Sequence, residues 1–215
     1  MAIVNLWLAV GFWAAMAAEK ADPIRMVAFG DSLTAGYMLK PSEAFPVKLA
    51  EALAAKGHAV EIANAGVSGD TTAAGLQRFD WAIPEGTEAV IVELGANDAL
   101  RGIDPGETRK NLDAILTKLR ARNIDVLLAG MMAPKNWGKD YEERFATIYS
   151  DLAAKHGALL YPFFLDGVAL DAKLNLQDGL HPTAPGVDVI VKGILPQVEE
   201  LIGRARERRG AASKS

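Results

Sequence analysis

The chain reads as an α/β protein built on a parallel sheet, and three observations carry that reading. Five short β-type runs alternate with longer segments of helical pattern. The third run, EAVIVEL at 88–94, is mostly apolar, as a strand covered on both faces should be. No internal repeat, low-complexity segment or linker interrupts the middle of the 215 residues, so one domain of βαβ crossovers accounts for them.

Taken in order, residues 24–29 (IRMVAF) form the first strand. Residues 45–56, rich in Ala and Leu, form a helix stopped by Gly57. A second short strand spans 59–63, and a helix over 72–81 is closed by Pro84. The third strand follows at 88–94. Asp104-Pro105 sets an N-cap before a proline at the first helical position, which starts a helix reaching about Arg122. Residues 124–129 (IDVLLA) are the fourth strand. A helix over 141–155 ends near Gly157, and 158–163 is the fifth strand. Thr183 caps a last helix through about Ile202, with Pro185 in its first turn. Open sheets of this kind place ligands beyond the carboxyl ends of their strands. Ser32, Gly66 and Asn97 follow strands one, two and three, so all three should reach one rim.

Composition narrows the function. Half the residues are hydrophobic, enough for a substantial core, and the net charge of −4 gives no basic footprint for nucleic acid. The absence of cysteine excludes disulfides, thiolate catalysis and cysteine-ligated zinc. Residues 1–18 are expected to be a signal peptide or a hydrophobic N-terminal segment: 2–18 are apolar apart from Asn5 and end in the small-x-small pattern Ala15-Met16-Ala17. That reading places the protein in the periplasm or outside the cell, without stable membrane integration after processing; a cytoplasmic or N-terminally anchored protein is the alternative. Residues 204–215 read as a polar, basic, solvated tail, leaving 22–203 as the folded domain.

The chemistry centres on VAFGDSLTAGY at 27–37, where an apolar run ends at a glycine and a serine follows two residues later. A serine hydroxyl needs a base to take its proton, and that base must itself be oriented. Of the three histidines, His58 and His156 sit at element ends and read as surface or capping residues. His181 lies in the polar loop QDGLHP, three residues after Asp178, whose carboxylate can fold back toward the imidazole. A plain turn, with Asp178 bonded to backbone N–H groups, is the competing reading. Gly66 in NAGVSGD offers a backbone N–H without a side chain in the way, and Asn97 in GAND offers an amide donor. Taken singly, each is better explained as a turn or cap. Asp31, Asp70, Asp98 and Asp178 gather near the same rim, but only one histidine joins them, so no metal site is expected. There is no Gly-x-Ser-x-Gly elbow, Walker loop, His-Glu-x-x-His or dinucleotide fingerprint.

The blocks GDSL at 30–33, NAGVSGDTT at 64–72, GAND at 95–98 and DGLHP at 178–182, in that order, resemble the four signatures of SGNH hydrolases, also called GDSL esterases/lipases. The wording ELGANDALRG at 93–102 is most similar to the bacterial branch holding thioesterase I, lysophospholipase and arylesterase activities. The resemblance implies a three-layer α/β/α, flavodoxin-like sandwich with a five-stranded parallel sheet. It implies Ser32 as nucleophile, His181 as general base and acid, and Asp178 as the residue orienting His181. It further implies an oxyanion hole from the Ser32 N–H, the Gly66 N–H and the Asn97 amide, and no cofactor. The substrate is then a small-molecule ester, thioester or lysophospholipid. A carbohydrate O-deacetylase with the same groups, a non-catalytic binding domain and a metal-dependent hydrolase are the rival readings. Met131, Met132 and Pro134 after strand four, and Phe163, Phe164 and Leu165 after strand five, are candidates to line an acyl groove, against ordinary core packing for each.

Overall fold

A computed structural model describes residues 22–213. The expected signal segment, 1–18, lies outside the described residues. Five strands form one parallel sheet: β1 (Ile24–Gly30), β2 (Val60–Gly66), β3 (Ala89–Glu93), β4 (Asp125–Ala129) and β5 (Leu159–Tyr161). Their spatial order is β2-β1-β3-β4-β5. The chain therefore leaves β1 toward one edge and returns to β1's other side, which makes the ends of β1 and β3 the topological switch point of the sheet. Gly30 is in register with Gly66 on one side and Glu93 on the other.

The helices are α1 (Ser32–Ala35), α2 (Phe45–Ala55), α3 (Thr72–Gln77), α4 (Phe79–Ala82), α5 (Ala96–Leu100), α6 (Pro105–Ala121), α7 (Lys139–Ala146), α8 (Ile148–His156) and α9 (Ala184–Ala212). α2 packs on α9, which crosses β1, β3, β4 and β5, while α3, α6 and α8 form a second packed layer. This is the expected three-layer architecture. α6 illustrates why these segments fold as they do. Asp104 Oδ1 accepts the Gly106 N–H at 2.7 Å, Pro105 opens the first turn, and Lys118 and Arg120 sit in the last turn, where the helix dipole favours cations. Its buried Leu112, Ile115, Leu116 and Leu119 recur at helical spacing and face the core.

The core is aromatic on both sides of the sheet. Phe29 of β1 meets Phe79 edge-on, with centroids 6.3 Å apart, and Phe45 of α2 meets Phe164 at 5.0 Å. β3 is buried along its whole length, whereas the edge strand β2 is partly exposed throughout. Among the described residues no helix is long and apolar enough to cross a membrane.

Several boundaries differ from expectation, the second strand running on to Gly66 among them, and four of the differences have an identifiable physical cause. The helix expected over 72–81 breaks at Arg78, whose side chain turns inward to Asp70 and the Gly30 carbonyl. The helix expected over 141–155 starts at Lys139 and breaks at Thr147, whose hydroxyl accepts from Arg109. β5 stops before Pro162, which has no N–H to extend the ladder. The largest correction concerns the C-terminus. Residues 204–212 are not a solvated tail; they continue α9, with Ala205 buried.

The basic residues of that last stretch are spent on the fold. Arg209 donates to Glu88 through Nε at 2.7 Å, to the Asp22 carbonyl at 2.8 Å and to the Pro23 carbonyl at 2.9 Å. Arg208 pairs with Asp125 at 2.7 Å and donates to the Glu88 and Asn123 carbonyls. The end of the chain thus staples the start of β1 and the approaches to β3 and β4. Arg209→Ala is expected to destabilise the fold by about 1–2 kcal/mol, the worth of charge-assisted bonds discounted for partial exposure. Urea unfolding checks this; a freely solvated tail would leave the midpoint unchanged.

Candidate active site

β1 runs into the site through Gly30, and Asp31 is the N-cap of α1. Its Oδ1 accepts the Leu33 N–H at 3.0 Å, so Ser32 becomes the first residue of that short helix. The Ser32 N–H has no intrahelical partner at this position, and no hydrogen bond engages it among the described residues. Ser32 is 8 % exposed.

The loop after β5 delivers the imidazole. The Asn175–Pro182 bridge and the bonds from Leu176 N–H to the His181 carbonyl (2.7 Å) and from Thr183 N–H to the Leu174 carbonyl (2.8 Å) close it into a rigid turn. Gly179, at φ +70°, supplies its left-handed residue. His181 Nε2 lies 2.9 Å from Ser32 Oγ, and His181 Nδ1 lies 2.7 Å from Asp178 Oδ2. An ionised carboxylate only accepts, so Nδ1 carries the proton and Nε2 is free to accept from the serine hydroxyl. Asp178 Oδ1 also accepts the N–H groups of Leu180 (2.9 Å) and His181 (3.1 Å). The turn reading and the orienting reading of Asp178 are therefore both realised, one on each oxygen. The Leu180 N–H, with further contributions from His181, holds this carboxyl down at about 2. The Tyr37 ring packs on the His181 imidazole, with centroids 4.6 Å apart.

Asn97 sits in α5, just past the β3 end, and its Nδ2 donates to Asp31 Oδ2 at 3.0 Å. Gly66 corrects the expectation of a free donor. It is the last residue of β2, and its N–H donates to Asn64 Oδ1 at 3.0 Å. It is glycine because α1 lies against it: an added Cβ would stand 2.3 Å from the Ala35 nitrogen and 2.8 Å from the Asp31 carbonyl oxygen. Gly69, three residues on, was missed. It has φ +87°, its carbonyl accepts from Arg101 at 2.9 Å, and its N–H has no hydrogen-bond partner among the described residues. The motif NAGVSGD held both glycines, and the positive φ forced by the tight Val67–Asp70 turn distinguishes them.

The remaining rim carboxylates have structural partners. Asp70 pairs with Arg78 at 2.5 Å, and Asp98 accepts from the Thr72 backbone and hydroxyl and from Thr108. His58 pairs with Glu199 and His156 with Asp113; His58 is partly exposed, whereas the His156 side chain is nearly buried rather than a surface group. Met131 and Phe164 are core residues, which corrects their proposed place in a groove; Phe163, Leu165 and Pro134 are half-buried and Met132 is exposed. The exposed apolar side chains in the loops that carry the site are instead Tyr37, Met38, Val67 and Leu180. They flank the motif residues in sequence, a signal that was available. A cavity of about 240 Å³ lies elsewhere, at the amino ends of β4 and β5 between α6, α8 and α9. Two of its three arginines serve the fold: Arg204 donates to the Gly157 carbonyl and Arg208 to that of Asn123.

Residues 28–189 match the GDSL-like lipase/acylhydrolase family. The chain belongs to that family. It is 35 % identical over 185 residues to the esterase TesA of Pseudomonas aeruginosa, covering 86 % of this chain and 92 % of that one. It is 36 % identical to thioesterase 1/protease 1/lysophospholipase L1 of Escherichia coli K12, covering 86 % and 87 %. The crystal structure of AlinE4, an SGNH-hydrolase family esterase, superposes with a TM-score of 0.71 at 48 % identity, covering 83 % and 96 %. The chain is accordingly a carboxylic ester hydrolase of the SGNH type.

Beneath Ser32 lies a buried pair of carboxyls. Glu93 Oε2 accepts the Asp31 N–H at 3.3 Å and the Thr34 hydroxyl at 2.7 Å, while Oε1 has no partner. Burial, and then the Asp31 charge, push Glu93 well above the usual range; burial pushes Asp31 up to about 6. A carboxyl raised in the folded state binds its proton more tightly folded than unfolded, so stability falls as pH rises above the unfolded value of about 4.5. Glu93→Gln removes that cost. Its melting temperature relative to the native protein is expected to become more favourable between pH 5 and pH 8, as calorimetry across that range would register.

Proposed function

We propose that the chain cleaves carboxylic esters, and thioesters or lysophospholipids, by a Ser-His-Asp mechanism through an acyl-enzyme. The contact between Ser32 Oγ and His181 Nε2 at 2.9 Å carries this reading. Ser32 attacks the substrate carbonyl while His181 takes its proton. Asp178 keeps the imidazole in the tautomer that can accept and stabilises the imidazolium once formed. The carbonyl oxygen, now anionic, accepts from the Ser32 N–H, the Gly69 N–H and the Asn97 amide. The first two are favoured because nothing else engages them. His181 then protonates the departing alcohol or thiol. Water, deprotonated by His181, attacks the acyl-enzyme, and the serine leaves with its proton restored.

Tyr37, Met38, Val67 and Leu180 favour an acyl chain over an acetylated sugar, because apolar side chains gain by covering hydrocarbon and gain little from hydroxyls. The names of the relatives, esterase and thioesterase 1/protease 1/lysophospholipase L1, point the same way.

Ser32→Ala is expected to lower kcat on a nitrophenyl ester by about 10⁴-fold or more with the melting temperature retained. Undiminished turnover in that variant would remove the serine mechanism. Gly69→Ala, which strains a positive φ and disturbs a donor, is expected to lower kcat by about 10²-fold. Gly66→Ala is expected to lower the melting temperature as well, because its Cβ collides with α1. Steady-state kinetics beside thermal melts separate the two glycines.

A further inference from the structure

We propose that Asp31 is the positioning residue of the site, holding Ser32 with one carboxylate oxygen and orienting the Asn97 amide with the other. The inference rests on the serine-hydrolase reading above.

Asp31 is fully buried and touches no cation. Such a charge is costly unless its oxygens are well satisfied. Oδ1 accepts the Leu33 N–H and Oδ2 accepts from Asn97 Nδ2, both at 3.0 Å. The first bond caps α1 and leaves Ser32 at its first position with an unpartnered N–H. The second bond decides which way round Asn97 stands. A carboxylate only accepts, so only the NH₂ end of the amide can face it. That end has two hydrogens. One is spent on Asp31 and the other remains for the oxyanion, while the amide oxygen is turned away.

A donor in place of Oδ2 would reverse the arrangement. The Asn97 amide would turn over, and its oxygen would stand where the second hydrogen had been. An oxygen there repels the developing negative charge. The backbone of Asp31 is gripped from the opposite side, since Glu93 Oε2 accepts its N–H and the Thr34 hydroxyl. Gly30 permits this grip: a Cβ there would lie 2.5 Å from Glu93 Oε2 and 2.1 Å from Thr34 Oγ1.

The charge of Asp31 also opposes the oxyanion directly. The two effects predict opposite results. If direct repulsion dominated, neutralising Asp31 would raise kcat; if orientation dominates, it lowers kcat.

The test uses Asp31→Asn, which keeps the shape and one cap acceptor, and Asp31→Ser, which keeps an N-cap hydroxyl and cannot orient Asn97. Both are assayed on a nitrophenyl ester beside Asn97→Ala, Ser32→Ala and the double variant Asp31→Asn/Asn97→Ala. Each Asp31 variant that folds by circular dichroism is expected to lose about 10²-fold in kcat with KM within threefold of native. The double variant is expected to lose no more than threefold beyond Asn97→Ala alone, because Asp31 acts through that amide. A kcat equal to or above native in either single variant overturns the proposal. So does a double-variant loss equal to the product of the two single losses, which is what general loosening of the fold would give. Persistent turnover in Ser32→Ala would overturn the underlying serine mechanism. A dead Ser32→Ala beside a fully active Asp31→Asn overturns only the role of Asp31.

Discussion

The contact between Ser32 and His181 joins residues 149 apart in the chain, and no local structure can hold it. It exists because β1 and the loop before α9 finish at the same end of a parallel sheet. The strand order β2-β1-β3-β4-β5 puts β1 at the switch point, so the loop after it has free space on the side from which the sheet reverses. α9 lies across the sheet and rests on α2, which follows the loop that carries Ser32. The imidazole is therefore referenced to the same framework as the serine. Motion of either loop relative to the other has to distort the Asn175–Pro182 bridge or the cap of α1.

Several unfavourable features of the fold lie at this end. Glu93 buries a carboxyl oxygen without a partner, Arg78 buries a guanidinium nitrogen in the same state, and Asp31 buries a carboxylate against neutral donors. At the opposite pole Arg208 and Arg209 meet Asp125, Glu88 and several carbonyls, although burial still pushes Asp125 up and His156 Nδ1 is buried without a partner. Native proteins tolerate such debits where geometry is required of the chain. Gly30 belongs with them, since no side chain fits between Thr34 and Glu93.

What was legible in the sequence follows a simple division. Ser32, Asp178 and His181 were readable because each sits in a short motif with its own local geometry, and an Asp three residues before a His needs only a turn to reach it. Strands and helices were readable from apolar runs, caps and glycine stops. Properties that depend on a distant surface were not. Gly66 and Gly69 look alike as letters; one is glycine because Ala35 lies against it, the other because its φ is positive. GRARERRGAASKS looks like a solvated tail, since its partners Glu88, Asp125 and the carbonyls of residues 22 and 23 lie more than 75 residues upstream. Phe164 and Met131 look like groove residues by position, and only the facing Phe45 and the rest of the core show them to be packing.

Two carboxyls near the serine are tuned in opposite directions, and the contrast explains how they avoid each other's work. Asp178 is partly exposed, and it is held at about 2 by the N–H groups of its own turn. It stays ionised through any pH at which an imidazole titrates, so His181 always faces an acceptor. Asp31 is dry, and burial raises it to about 6. The first depends on local hydrogen bonds and tolerates solvent. The second depends on exclusion of water and is placed under Ser32, away from the open side of the site. Exchanging the two environments would leave the His181 imidazole without a reliable acceptor and Ser32 on a hydrated, loosely capped turn. The arrangement of hydrogen bonds and burial, more than the presence of two aspartates, separates their roles.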